Sequence, residues 1–104
     1  LTELDRKEAR RLSAEEKKAR QQQRNKLTQQ LRQLEAQIAK DEARLAEIHG
    51  LHADPDAYAK GLITPALGNE AKTLERMIPK LMQEWEQLSE ELEALNTEKI
   101  PAKA

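Results

Sequence analysis

Leu27, Leu31, Leu34, Ile38, Asp41, Leu45 and Ile48 follow one another in alternating steps of four and three residues. That spacing keeps one side of a helix pointing the same way turn after turn, which is the a/d seam of a coiled coil. Asp41 is the one polar occupant. A seam of this length needs a partner, and the same chain supplies it: Leu67, Ala71, Leu74, Ile78, Leu81, Trp85, Leu88, Leu92 and Leu95 keep the four-three rule without a break. Two matched seams joined by a short polar connection predict an all-α fold, an antiparallel two-helix coiled-coil hairpin with a short helical turn at its tip. Setting Ile48 against Ala71 and counting away from the tip pairs Leu45 with Leu74, Ile38 with Leu81 and Leu34 with Trp85. The same count sets Leu31 against Leu88 and Leu27 against Leu92. On this register Trp85 is buried against Leu34 and Leu31, and the hairpin is expected to be monomeric.

Composition agrees with a long-helix protein and excludes several classes. Charged residues make up 36% of the 104 residues and aromatics 2%, too little apolar bulk for a globular core. With no cysteine there is neither a disulfide framework nor a thiolate nucleophile or metal ligand. No run of eighteen apolar residues occurs, and the amino terminus is too charged for a signal peptide, so neither a membrane partner nor a leader is expected. A start at Leu1 and not at Met suggests a piece of a longer protein, and a processed terminus would look the same.

Punctuation divides the chain. Residues 1–12 carry Arg6, Lys7, Arg10 and Arg11 with little apolar periodicity, and read as a basic linker or frayed helix. Ser13 with Glu16 makes a capping-box pattern, from which helix one is predicted over about 13–50, with Gly50 as its stop. The tip, 51–64, holds Asp54 before Pro55 and Gly61 after Lys60, the start and end signals of one short helix. Helix two spans about 65–99 within a hairpin of 13–99. Its start is signalled twice, by Thr64-Pro65 and by Asn69 after Gly68. Pro101 bars continuation, leaving 100–104 as a disordered tail.

Charge is distributed unequally although the net is only −1. From Arg6 to Arg32 there are ten Lys or Arg against three Glu, whereas Leu81 to Glu98 contains six Glu and no basic residue. On the register above, the acidic half of helix two lies alongside Arg20, Arg24, Lys26 and Arg32 and neutralises part of the excess. Continuing the seam backwards from Leu27 meets Arg24, Arg20, Lys17, Ser13, Arg10 and Arg6, so the packing face turns basic where its partner runs out. A cationic ridge of this kind suits a polyphosphate, since each Lys or Arg near a phosphate releases condensed counterions. Arg6, Lys7, Arg10, Arg11, Lys17, Lys18, Arg20 and Arg24 are the candidate nucleic-acid-binding residues; the plainer alternative is a solvated charged helix.

Other residues point to no chemistry of their own. His49 and His52, with Asp54 and Asp56 nearby, read as polar tip residues, and no metal site is assigned. Asp41 falls opposite Ile78 and Pro79, where the proline frees the Glu75 carbonyl; Arg76 or Lys80 is expected near the carboxylate, making Asp41 a register device. Without a Gly-rich phosphate loop, an activated Ser or Cys, or a close carboxylate pair, no catalytic residue and no cofactor are assigned, and the chain is not expected to be an enzyme.

The lead-in RKEARRLSAEEKKAR, the first helix LTQQLRQLEAQIAKDEARLAEI, the tip ADPDAYAKG and the second helix ending MQEWEQLSEELEAL resemble the carboxy-terminal domain of the ABC-F family of ATP-binding-cassette proteins. In that family the tip commonly reads Asp-Pro-x-x-Tyr, matched by Asp54, Pro55 and Tyr58, and helix two often carries a Trp near the place of Trp85. The stretch GLITPALGNEAK is longer and richer in Gly and Pro than the family pattern. The resemblance implies a cytoplasmic ATPase whose ATP and Mg belong to nucleotide-binding domains elsewhere in the parent. It further implies an accessory arm that contacts rRNA on the ribosome, ribosomal protein, or DNA. The alternatives are the tRNA-contacting arm of a valyl-tRNA synthetase, whose tip motif is not seen, and a protein-protein coiled-coil module.

Overall fold

A computed structural model describes residues 2–98. Three helices follow in order: α1 over Glu3–His52, α2 over Pro55–Ala59 and α3 over Pro65–Glu98. α1 and α3 lie antiparallel along each other, giving a rod of 84 × 22 × 15 Å. The tail 100–104 and the end of helix two at Lys99 lie outside the described residues.

α1 starts ten residues before the predicted cap. Thr2 is the N-cap: its hydroxyl accepts from the Asp5 amide at 3.1 Å, and the Asp5 carboxylate accepts from the Thr2 amide at 3.3 Å. Two orphan donors are satisfied by that reciprocal pair, and no Gly or Pro interrupts the chain from there to Gly50, so Ser13 sits inside a continuous helix. The segment 1–12 is therefore helical from Glu3 onward and not a linker. Gly50 does not end the helix either. Leu51 packs beneath the tip, and the cap falls at Ala53, whose amide donates to the His49 carbonyl at 3.1 Å. Fifty residues make α1 about 75 Å long.

The tip is built as its sequence predicts. Asp54 caps α2, its carboxylate accepting from the Asp56 amide at 2.9 Å, and Pro55 takes the first-turn position where no amide is needed. α2 closes in a Schellman arrangement: Leu62 N–H donates to the Ala57 carbonyl at 2.9 Å and Gly61 N–H to the Tyr58 carbonyl at 3.1 Å. Gly61 adopts φ 73°, the left-handed backbone that a Cβ would strain. Of the two candidate starts for α3 the first is used, with Thr64 Oγ1 accepting from the Leu67 amide at 3.2 Å.

The best-sealed packing lies next to the tip. Ile48, fully buried, meets Leu67 and Ala71, with Leu45, Leu51, Ile63 and Leu74 around them. This is the layer order the seams predict. Arg44 crosses the interface beside it, gripping Glu70 with Nε at 2.6 Å and Nη2 at 2.8 Å while Nη1 reaches Glu47 at 2.7 Å. Further down, Leu27, Leu31, Ile78 and Leu95 are buried. Trp85 is half-buried where the register expects it buried; it shares a recess with Ile38, Ala39 and Met82, and donates its indole N–H to Glu35 at 3.0 Å. Leu34 borders a second recess with Glu84 and Leu88. An indole carries a donor that must be met, and Glu35 of α1 receives it. Asp41 accepts from Gln37 at 2.9 Å within its own helix, and makes no ion pair with Arg76 or Lys80. α3 runs through Pro79 as one helix.

Candidate functional site

The hairpin and the basic segment share a single helix, and their lengths do not match. Carrying the spacing of Leu34 and Leu88 along the pair, Glu98 falls beside the turn Gln21–Arg24. Residues 3–20 of α1, about 27 Å of helix, extend past that level. Every residue from Thr2 to Ala19 is exposed.

Seven basic and five acidic residues lie between Glu3 and Arg20. Their arrangement matters more than their balance. At about 100° per residue, Arg6, Lys7, Arg10, Arg11, Lys17, Lys18, Arg20 and Arg24 all fall within one half of the helix circumference. Asp5, Glu8, Glu15 and Glu16 fall on the opposite half, and Glu3 alone sits among the basic side chains. The projecting helix thus has a cationic side and an anionic side, and the line of the seam runs along the edge of the cationic side, through Arg20 and Arg24. Among the described residues one ion pair forms on it, Arg11 with Glu8 at 3.6 Å, between two well-exposed side chains and of small energetic weight.

Individual candidates differ in setting. Arg6, Lys7, Arg10, Arg11, Lys17 and Lys18 are exposed, while Arg20 and Arg24 are half-buried at the mouth of the hairpin. Arg24 donates from Nη2 to Gln21 at 2.6 Å, and Gln21 donates onward to Asn25 at 2.9 Å. Its Nη1 is buried with no hydrogen-bond partner among the described residues. Among the described side chains, which do not include that of Glu98, the second helix forms none of the ion pairs that internal neutralisation would use. Glu84, Glu86, Glu90, Glu91 and Glu93 make no ion pair with Arg20, Arg24, Lys26 or Arg32. These carboxylates are exposed and spread over both flanks and the outer face of α3, where water solvates them without restricting their side chains.

Near the tip, His49 Nε2 lies 3.7 Å from Glu75 and His52 is half-buried. Among the described residues no three His, Asp or Glu side chains converge as a metal site would require. No helix of the described residues is long and apolar enough to cross a membrane. The cross-helix grip of Arg44 on Glu70 was not anticipated from sequence. The guanidinium holds the Glu70 carboxyl below the usual carboxylate range, and the Arg44 pKa is raised in turn by Glu70 and Glu47. Its only sequence signal is that both residues flank the two seams, where interhelical charge pairs form.

Residues 22–90 match the family model described as the ABC transporter C-terminal domain. Neither the curated proteins nor the solved structures contain a match.

Proposed function

Because this chain belongs to the family of ABC transporter C-terminal domains, and so forms an accessory domain of an ABC protein, we propose that it is the non-catalytic arm of an ABC-F protein that contacts nucleic acid, rRNA on the ribosome or DNA, through the basic side of α1. ATP and Mg would be handled by nucleotide-binding domains of the cytoplasmic parent. The observation that carries the reading is the division of the exposed helix into cationic and anionic sides. A merely soluble helix gains more from mixing its charges at i, i+4 spacing than from separating them, whereas a helix laid along phosphates needs its cations on one side and its anions turned away. Of the eight candidates only Arg24 lies within the matched residues, so the nucleic-acid reading rests on charge geometry rather than on the family. The family match favours the ABC resemblance over the synthetase arm.

No aromatic side chain accompanies the cations, so bases have nothing to stack on and binding is expected to be weak and sequence-tolerant. Titration against duplex DNA and structured RNA at low and moderate salt tests it. Each neutralised phosphate adds about 0.7 to 0.9 to the logarithmic salt slope, so a few contacts give a slope of about 2 to 4. Reversing Arg10, Lys17 and Arg20 to Glu should abolish binding, and reversing Lys60 or Lys72 should leave it intact. If neither nucleic acid binds at low salt, the reading fails and the protein-protein module takes its place.

A further inference from the structure

We infer that two copies of this chain associate antiparallel, each laying the basic side of its projecting helix along the acidic outer stretch of the partner's α3. Three observations carry it. First, the two charge excesses reside in one molecule but cannot meet within it, because α1 is one continuous helix that leads Arg6 to Lys18 away from the acidic half of α3. Second, the acidic stretch Leu81–Glu98 contains no basic residue, and its exposed carboxylates from Glu84 to Glu93 have no ion-pair partner among the described residues. Third, the lengths agree: residues 3–20 and residues 81–98 each measure about 27 Å as helix.

A two-fold axis through the mouth of the hairpin, perpendicular to the rod, brings these segments side by side. The two hairpins then point in opposite directions. Each projecting helix runs parallel to the α3 it meets, so Arg6 and Lys7 stand near the level of Glu84 of the partner subunit and Arg10 and Arg11 near Glu90 of the partner subunit. Each α3 is flanked on its seam side by its own α1 and on its outer side by the copy's basic helix. The contact is isologous, and both surfaces are used once per copy, so the assembly closes at two. Where the seams alone predict a solitary hairpin, the charge pattern calls for a second one. The inference does not depend on nucleic-acid binding, although the same basic side cannot serve a polyphosphate and the copy at once.

Sedimentation equilibrium of the chain decides it, at low salt of about 0.05 M and at about 1 M, where charges are screened beyond about 3 Å. At low salt the apparent mass should rise with concentration toward twice that of the chain, and at high salt it should return to one. Three variants give the charge logic a test that misfolding does not imitate, each first checked for parental helicity by circular dichroism. Arg10→Glu with Lys17→Glu and Arg20→Glu should be monomeric at low salt, and so should Glu86→Lys with Glu90→Lys and Glu93→Lys. All six changes in one chain should restore the dimer, as should an equimolar mixture of the two triple variants. A parent monomeric at every concentration at low salt overturns the inference. So does a dimer indifferent to either triple reversal, or one that neither the sixfold variant nor the mixture restores.

Discussion

Ile48→Ala probes the one place where this narrow fold excludes water completely. The Ile48 side chain is 0% exposed and touches the Leu67–Ala71 layer of α3, so it joins the two helices and the tip at once. Shortening it removes three carbons at about 0.8 kcal/mol each, or about 2.4 kcal/mol of transfer free energy. A cavity contribution adds to this, but a two-helix wall collapses more readily than a globular core, which places the total near 3 kcal/mol within the range of about 2 to 5 for buried Ile to Ala. Domains of this size lose about 4 to 8 °C of melting midpoint per kcal/mol, so a drop of about 15 °C is expected. Thermal melts followed at once by helical ellipticity and by Trp85 fluorescence give the assay. Trp85 lies halfway down the rod, so coincident transitions report one cooperative unit and a later fluorescence transition reports unzipping from the tip. Leu4→Ala, at a side chain 73% exposed, is the control and should move the midpoint by less than about 0.5 kcal/mol equivalent. If Ile48→Ala melts with the Leu4→Ala control, the tip layer does not anchor the hairpin and the packing argument fails.

Three further outcomes follow from the same geometry. Trp85→Ala should cost about 2 kcal/mol in a urea or thermal melt, below the 3 to 5 of a buried Trp, because the indole is half-buried on the flank; a larger loss would return it to the seam. Glu70 has its pKa lowered by Arg44, so its contribution is complete above the ordinary carboxylate value and is lost as pH falls through the lowered one. Melts between neutral and acidic pH should therefore show a decline that Glu70→Gln flattens, at lower stability at neutral pH. Gly61→Ala, at φ 73°, should destabilise by about 1 kcal/mol despite open space around the position, since strain and not contact opposes the Cβ; an unchanged melt would show the tip closing by another turn.

Apolar spacing revealed the hairpin because a four-three repeat leaves one geometry in which both stripes are covered, and the layers around Ile48, Ala71, Leu45 and Leu74 stand where that repeat puts them. It was less informative where a side chain has chemistry besides bulk. Trp85 occupies a seam position by count, yet it is only half-buried and its N–H is met by Glu35. Helix limits were read from residue types that do more than one job: Ser13 resembles a cap but lies in a helix already begun at Thr2, and Gly50 resembles a stop but is carried through by the packing of Leu51. For the candidate site, the sequence reading identified the basic residues, and the helix placed all eight within one half of its circumference. The absence of ion pairs from Glu84, Glu86, Glu90, Glu91 and Glu93 to the described basic residues was not legible, because a register states which levels face each other and not where flexible side chains come to rest.

An unbroken α1 also makes the molecule a mechanical lever. The helix has no proline, and its one glycine stands two residues before its end, so there is no interior joint at which a bend would concentrate. A tilt of about 5° imposed near Glu3 would carry through to the tip as a displacement of about 6 Å over the length of the helix. Along most of that length α3 braces it, and Arg44 bridges the two helices near the far end. Small rotations at one end of the rod would therefore emerge at Tyr58 and Leu62, both more than half exposed, as movements the width of a side chain.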